Sequence, residues 1–137
     1  MNDVEIEAEA LIYPTEDPGK VEKAIKMVFP TCSMTLEKLS EEERVLRARE
    51  HGKEALIPLQ SLLRRDRIRD AARSVLMSGI SNNTITFYLN KQVAFAGHIS
   101  FSMPNAECPL GPITVRIICE NPIGLVEWLA PRSIALG

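Results

Sequence analysis

Cysteine, aromatic residues and long apolar runs are scarce in this chain of 137 residues, and each scarcity excludes a class of protein. Cys32, Cys108 and Cys119 are odd in number, far apart and never arranged as CxxC. A disulfide framework or a zinc knuckle does not fit them. The expected compartment is a reducing cytoplasm, with the cysteines as small residues in or near the core. No window holds the roughly 18 consecutive apolar residues of a membrane span. Met1-Asn2-Asp3-Val4-Glu5 lacks the basic and apolar regions of a secretory signal.

Enzyme signatures are missing as well. The sequence contains no GxxxxGK[ST], GxGxxG, GxSxG or HExxH. The two histidines, His51 and His98, have no flanking ligand pattern. The Glu41-Glu42-Glu43 run reads as a solvated loop rather than a cation site, because contiguous side chains point apart. Neither a catalytic residue nor a metal, cofactor or small-molecule substrate is expected.

What is present is a globular composition, 45% hydrophobic and 25% charged, with 16 basic and 18 acidic residues and a net charge of -2. A chain of this size buries about 68% of the surface that its unfolded form exposes, enough for one core and a single domain spanning residues 1–137. The charge is segregated. Residues 1–19 carry six acidic groups and no basic one, whereas residues 61–80 carry five arginines against Asp66 and Asp70.

Hydrophobic periodicity predicts the elements. Val4 to Ile12 alternates apolar and mostly acidic residues, the period of a strand with one buried face and an acidic outer row. Asp17 as N-cap and Pro18 at the first position open a helix that Phe29-Pro30 ends. Strands are expected over Met34–Leu39 and Val45–Glu50. A helix over 54–63 follows, with Pro58 in its first turn or at a kink, and a second helix over about 66–78. Gly79 fits the left-handed C′ position after it. Thr84–Leu89 and Val93–Phe101 alternate on either side of Asn90-Lys91-Gln92 and predict a hairpin, with His98 facing outward. Met103–Gly111 reads as loop, Ile113–Cys119 as strand and Ile123–Leu129 as helix, with Trp128 as its anchor and Pro131 as its stop. The sum is an α+β domain with a mostly antiparallel sheet and helices packed against it.

The arginine-rich helix is the strongest local feature. Arg65, Arg69 and Arg73 stand at i, i+4 and i+8, on one face opposite Ile68, Ala72 and Val75, and Arg64 and Arg67 add to the excess. Guanidinium forks bind phosphate oxygens bidentately, so such a row suits a nucleic-acid backbone. The alternative is a solvated face paired with Asp66 and Asp70, although two aspartates do not cancel five arginines. Tyr88 on a wet sheet face suits base stacking, with Lys91 and Gln92 beside it, against the alternative of ordinary packing or exposure.

The order of segments resembles an archaeal family of uncharacterised proteins predicted to bind RNA, related to a predicted exosome-subunit group. The likeness runs through nearly the whole chain. It is carried by Val4–Ala10 with Tyr13–Pro18, Leu62–Arg73, Thr84–Gln92, Pro109–Ile113 and Trp128–Arg132. The resemblance implies a fold similar to that of the large-subunit ribosomal protein that binds 5S ribosomal RNA, and RNA as partner. The expectation is a non-enzymatic RNA-binding domain. Arg64, Arg65, Arg67, Arg69 and Arg73 would contact phosphates, with Lys91, Gln92 and Arg132 as secondary contacts and Tyr88 as a stacking group. The alternative is a self-associating module, a homodimer in which the acidic first strand of one copy meets the arginine helix of another. A third possibility, an enzyme using His51 or His98, would need a deep pocket holding one of them beside a carboxylate.

Overall fold

The alternation of Val4 to Ile12 places its strand in the middle of a sheet. In the computed structural model, which describes residues 3–102 and 111–132, β1 (Glu5–Ile12) pairs with β3 (Arg44–His51) on one side and β7 (Pro112–Ile118) on the other. β2 (Ser33–Lys38) extends the β3 edge, and β5 (Thr84–Asn90) lies beyond β7. The two-residue strands β4 (Ile80–Ser81) and β6 (Phe101–Ser102) share the outer edge of β5. Every pairing is antiparallel, and the order is β2-β3-β1-β7-β5-β4.

One face of this sheet is apolar in every long strand but β2. Ile6, Ala8, Ala10 and Ile12, then Leu46 and Ala48, then Ile85, Phe87 and Leu89, then Ile113, Val115 and Ile117 are all buried in a single cluster. The helices cover that face: α1 (Pro18–Val28), α2 (Ile57–Arg65), α3 (Arg69–Ser78), α4 (Lys91–Phe95) and α5 (Pro122–Leu129). Each large apolar side chain so buried contributes about 1.5–3 kcal/mol. The small residues Ala8, Ala10 and Ala48 lie side by side in β1 and β3, where α1 packs. The opposite face is open and polar, with Glu9 held by Arg47 at 3.2 Å and by Arg116 at 3.7 Å.

The helix ends follow the sequence where side-chain caps specify them. Asp17 accepts the Gly19 N–H at 2.9 Å, and Asn121 accepts the Gly124 N–H at 3.1 Å. Pro58 falls in the first turn of α2, behind a short 3₁₀ segment over Lys53–Leu56. Trp128 is half-buried against the core, and its carbonyl oxygen accepts from Gln60 Nε2 at 2.7 Å.

Three expectations fail. The helix over 66–78 starts only at Arg69, because residues 66–68 form a turn. Gly79 closes it with a φ of -87°, which is not left-handed. A Cβ there would clash with the Thr86 backbone oxygen, so the glycine answers to close approach. The hairpin return over Val93–Phe101 is largely absent. Asn90 instead caps α4, accepting the Val93 N–H at 3.0 Å, and only Phe101–Ser102 returns to the sheet. The expected loop over Met103–Gly111, except Gly111, lies outside the described residues, as does Cys108.

Lys91, the first residue of α4, is only 5% exposed. Its Nζ donates to the Leu11 carbonyl at 2.7 Å and to both Glu16 carboxylate oxygens at 3.1 Å, and Glu16 also accepts the Tyr13 N–H at 3.0 Å. This pair joins the end of β1, the approach to α1 and the start of α4. Removing one member of a buried ion pair strands the other. Lys91→Met is therefore expected to lower the unfolding free energy by about 3–5 kcal/mol, and Lys91→Met/Glu16→Gln by much less. Urea denaturation of both variants measures the difference.

Candidate nucleic-acid interface

The arginine cluster is built on the turn between α2 and α3. After Arg65 the chain closes with Asp66 N–H on Leu62 O, Arg67 N–H on Arg64 O and Ile68 N–H on Leu63 O. Arg67 has a φ of 57°, a left-handed conformation that costs a non-glycine residue about 1 kcal/mol. Neither glycine nor proline marks the break, so the sequence pattern runs through it unbroken.

Asp66 ties this turn to the loop after α4. Its side chain, 13% exposed, accepts the Ile99 N–H at 3.1 Å and Arg65 Nε at 3.0 Å, and lies 3.4 Å from His98 Nδ1. Arg65 Nη2 donates to the Gly97 carbonyl oxygen. Gly97 has a φ of 95°, which favours glycine, and a Cβ there would meet open space. Burial pushes the Asp66 carboxyl up. The hydrogen bonds from Arg65, Ile99 and His98, with the charge of Arg65, outweigh it and hold the group below its ordinary 3.8.

Around this clamp Arg64, Arg65 and Arg67 are exposed and Arg69 is half-buried. Arg64, Arg67 and Arg69 make no ion pair with a described residue. The turn therefore presents to solvent guanidinium groups without a carboxylate partner among the described residues, while Asp66 is taken up by its own partners. Such forks are suited to phosphate oxygens.

The expected site is only partly assembled. Arg64, Arg65, Arg67 and Arg69 come together, but at an elbow between two helices rather than on one face. Arg73 is 17% exposed at its side chain and faces Glu127 of α5 at 3.4 Å. Tyr88 points to the open face of the sheet, away from the helices, beside Thr114 and Ser102. Lys91 is buried in its ion pair and is no surface contact. Gln92 is exposed on α4. Arg132 is exposed beyond α5, and no hydrogen bond or ion pair links it to the elbow.

Sequence reasoning missed Asp66 and His98 as one unit. His98 lies in a loop and not on a strand, because α4 displaces the expected return strand. The signal available was Asn90, a good N-cap residue, ahead of Lys91-Gln92-Val93. Burial pushes the Cys32 thiol up, helped by the charge of Glu50, and pushes the Cys119 thiol up as well. Neither is therefore primed as a thiolate nucleophile. Among the described residues no group of three or more His, Cys, Asp or Glu side chains is placed to hold a metal. No described helix is long and apolar enough to cross a membrane.

An antiparallel sheet with helices on one face and a basic elbow among them defines an α+β domain with a surface suited to polyanions. Residues 5–119 match a family model described as RNA binding. The chain is 43% identical to a UPF0201 protein of Sulfolobus acidocaldarius over 129 residues, 91% of this chain and 86% of that one. It is 41% identical over 130 residues to a UPF0201 protein of Pyrococcus abyssi, covering 94% and 91% of the two chains. The crystal structure of a UPF0201 protein from Methanococcus jannaschii superposes with a TM-score of 0.85 at 33% identity, over 96% of each chain. The chain belongs to the UPF0201 family of archaeal proteins.

The Asp66 clamp sets a pH dependence. A carboxyl held below its unfolded value stabilises the fold above that value, and the contribution is lost as pH falls through the folded value. Asp66→Asn is therefore expected to cost about 1–2 kcal/mol at neutral pH. The gap to the parent protein should close below about pH 3.8. Chemical denaturation at several pH values reads both effects.

Proposed function

We propose that this protein binds RNA through the α2–α3 elbow and acts by binding rather than by catalysis. The observation that carries this reading is the set of three arginines, Arg64, Arg67 and Arg69, without a carboxylate partner among the described residues at one turn. Elsewhere Arg47, Arg73 and Arg116 each face a glutamate. The family model described as RNA binding supports the choice of polyanion. With a net charge of -2 the protein relies on local positive surface to meet a polyanion, and the elbow supplies it, with Arg65 using its free guanidinium edge.

The likeness to the fold of the 5S-RNA-binding ribosomal protein and the kinship with an exosome-subunit group are part of the same proposal, as is a cytoplasmic place of action. Both point to cellular RNA as the partner. The self-association reading is the weaker one. One member of the acidic outer row it needs, Glu9, is already held within its own sheet by Arg47 and Arg116.

Arg64→Glu/Arg67→Glu is expected to weaken binding of a labelled structured RNA by about tenfold or more. It should also flatten the log–log salt dependence by about two phosphate contacts. A folded double variant with the parent's affinity and salt slope would overturn the elbow as the RNA site.

A further inference from the structure

Phe95 is out of place for its residue type. Phe29 and Phe87 are buried in the core, but Phe95, the last residue of α4, is 42% exposed. Two lysines of α1 stand at its ring: Lys20 Nζ is 5.7 Å and Lys23 Nζ 5.9 Å from the centroid. Neither lysine has an ion-pair partner among the described residues, whereas their neighbour Lys26 is held by Glu22 at 3.2 Å. The ring borders a cleft of about 320 Å³, lined also by Thr15, Lys20, Val21 and Gln92. The two carboxylates there are occupied: Glu16 by Lys91, and Asp17 by the Gly19 N–H that it caps. The cleft and its rim thus combine an exposed aromatic ring with two ammonium groups that have no ion-pair partner among the described residues.

The chain that leaves Phe95 runs to the elbow. Two residues after Phe95 comes Gly97, whose carbonyl oxygen Arg65 holds, and then His98, whose Nδ1 lies 3.4 Å from Asp66. Three Cα steps, at most about 11 Å, separate the backbone of Phe95 from that of His98. A strand stacked at Phe95 thus lies next in sequence to the segment that Asp66 and Arg65 hold.

We infer that Phe95 is a base-stacking platform for an unpaired nucleotide, with Lys20 and Lys23 binding its flanking phosphates and the strand continuing to the arginine elbow. Bases within a duplex hide their faces against one another, whereas a splayed base offers its face to an aromatic ring. The α1–α4 cleft therefore selects RNA with a single-stranded segment beside whatever the elbow holds. Gln92 at the cleft wall is placed for the edge of the base. This inference rests on the reading of the protein as an RNA binder and adds the class of RNA to it.

The test is a titration of the full chain with a labelled single-stranded RNA and with a fully paired RNA duplex of the same length. Phe95→Leu keeps an apolar side chain but removes the ring. It is expected to weaken single-strand binding about tenfold while leaving duplex binding unchanged, and Phe95→Tyr is expected to retain the parent affinity. Lys20→Glu/Lys23→Glu changes only exposed residues and should weaken single-strand binding and flatten its salt dependence. If Phe95→Leu and Lys20→Glu/Lys23→Glu both bind single-stranded RNA like the parent while Arg64→Glu/Arg67→Glu does not, the stacking cleft is overturned and the elbow stands. If the Phe95 variant loses binding while the arginine variant keeps it, the cleft stands and the elbow is overturned. A parent protein that binds neither RNA at low salt overturns both.

Discussion

The Lys91 ammonium, buried between Glu16 and the Leu11 carbonyl oxygen, fixes where the chain leaves β5. An ammonium removed from water is tolerable only when its donors are met, and here a carboxylate and a backbone oxygen meet them. That requirement seats α4 against the start of α1. It follows that Phe95 lies beside Lys20 and Lys23, and that residues 97–99 run past the turn between α2 and α3. The placement of Phe95 beside the α1 lysines thus depends on one cation that is itself almost wholly buried.

The second tie is Asp66. One carboxylate accepts from its own neighbour Arg65, from the backbone of Ile99 and from His98. It thereby removes its negative charge from competition with the arginines around it and stiffens a turn that contains a left-handed Arg67. An acidic residue inside a basic cluster looks like partial cancellation when read along the chain. In the folded protein it is the group that holds the cluster in shape.

The open face of the sheet has a different character. Glu9, Arg47, Glu37 and Arg116 neutralise one another across strands, each exposed pair contributing well under about 1 kcal/mol. Balanced charge makes that face soluble without giving it a strong preference for either sign of partner. On the helical side, Lys20, Lys23, Arg64, Arg67 and Arg69 have no carboxylate partner among the described residues, and that side carries the cluster proposed to meet RNA.

Local patterning was enough for most of the framework. Period-two alternation marked β1, β5 and β7, because a strand with one buried face must alternate. Asp17-Pro18 and Phe29-Pro30 marked helix ends, because caps and prolines act within a few residues. The arginine excess of residues 61–80 was visible as well. Its geometry was not: the helix pattern passes smoothly through Asp66 to Ile68, and the break depends on the backbone of Ile99, more than thirty residues away. Lys91 likewise read as a surface cation until its distant partner, Glu16, was in place. Val93 to Phe101 alternates like a strand, yet the local cap at Asn90 and the burial of Lys91 turn its first part into a helix. The sequence by itself determined which segments alternate, where charge accumulates and where helices are capped, since these are properties of near neighbours. Tertiary structure alone decided which charges are satisfied and which remain open to a partner, since that depends on contacts between residues far apart in the chain.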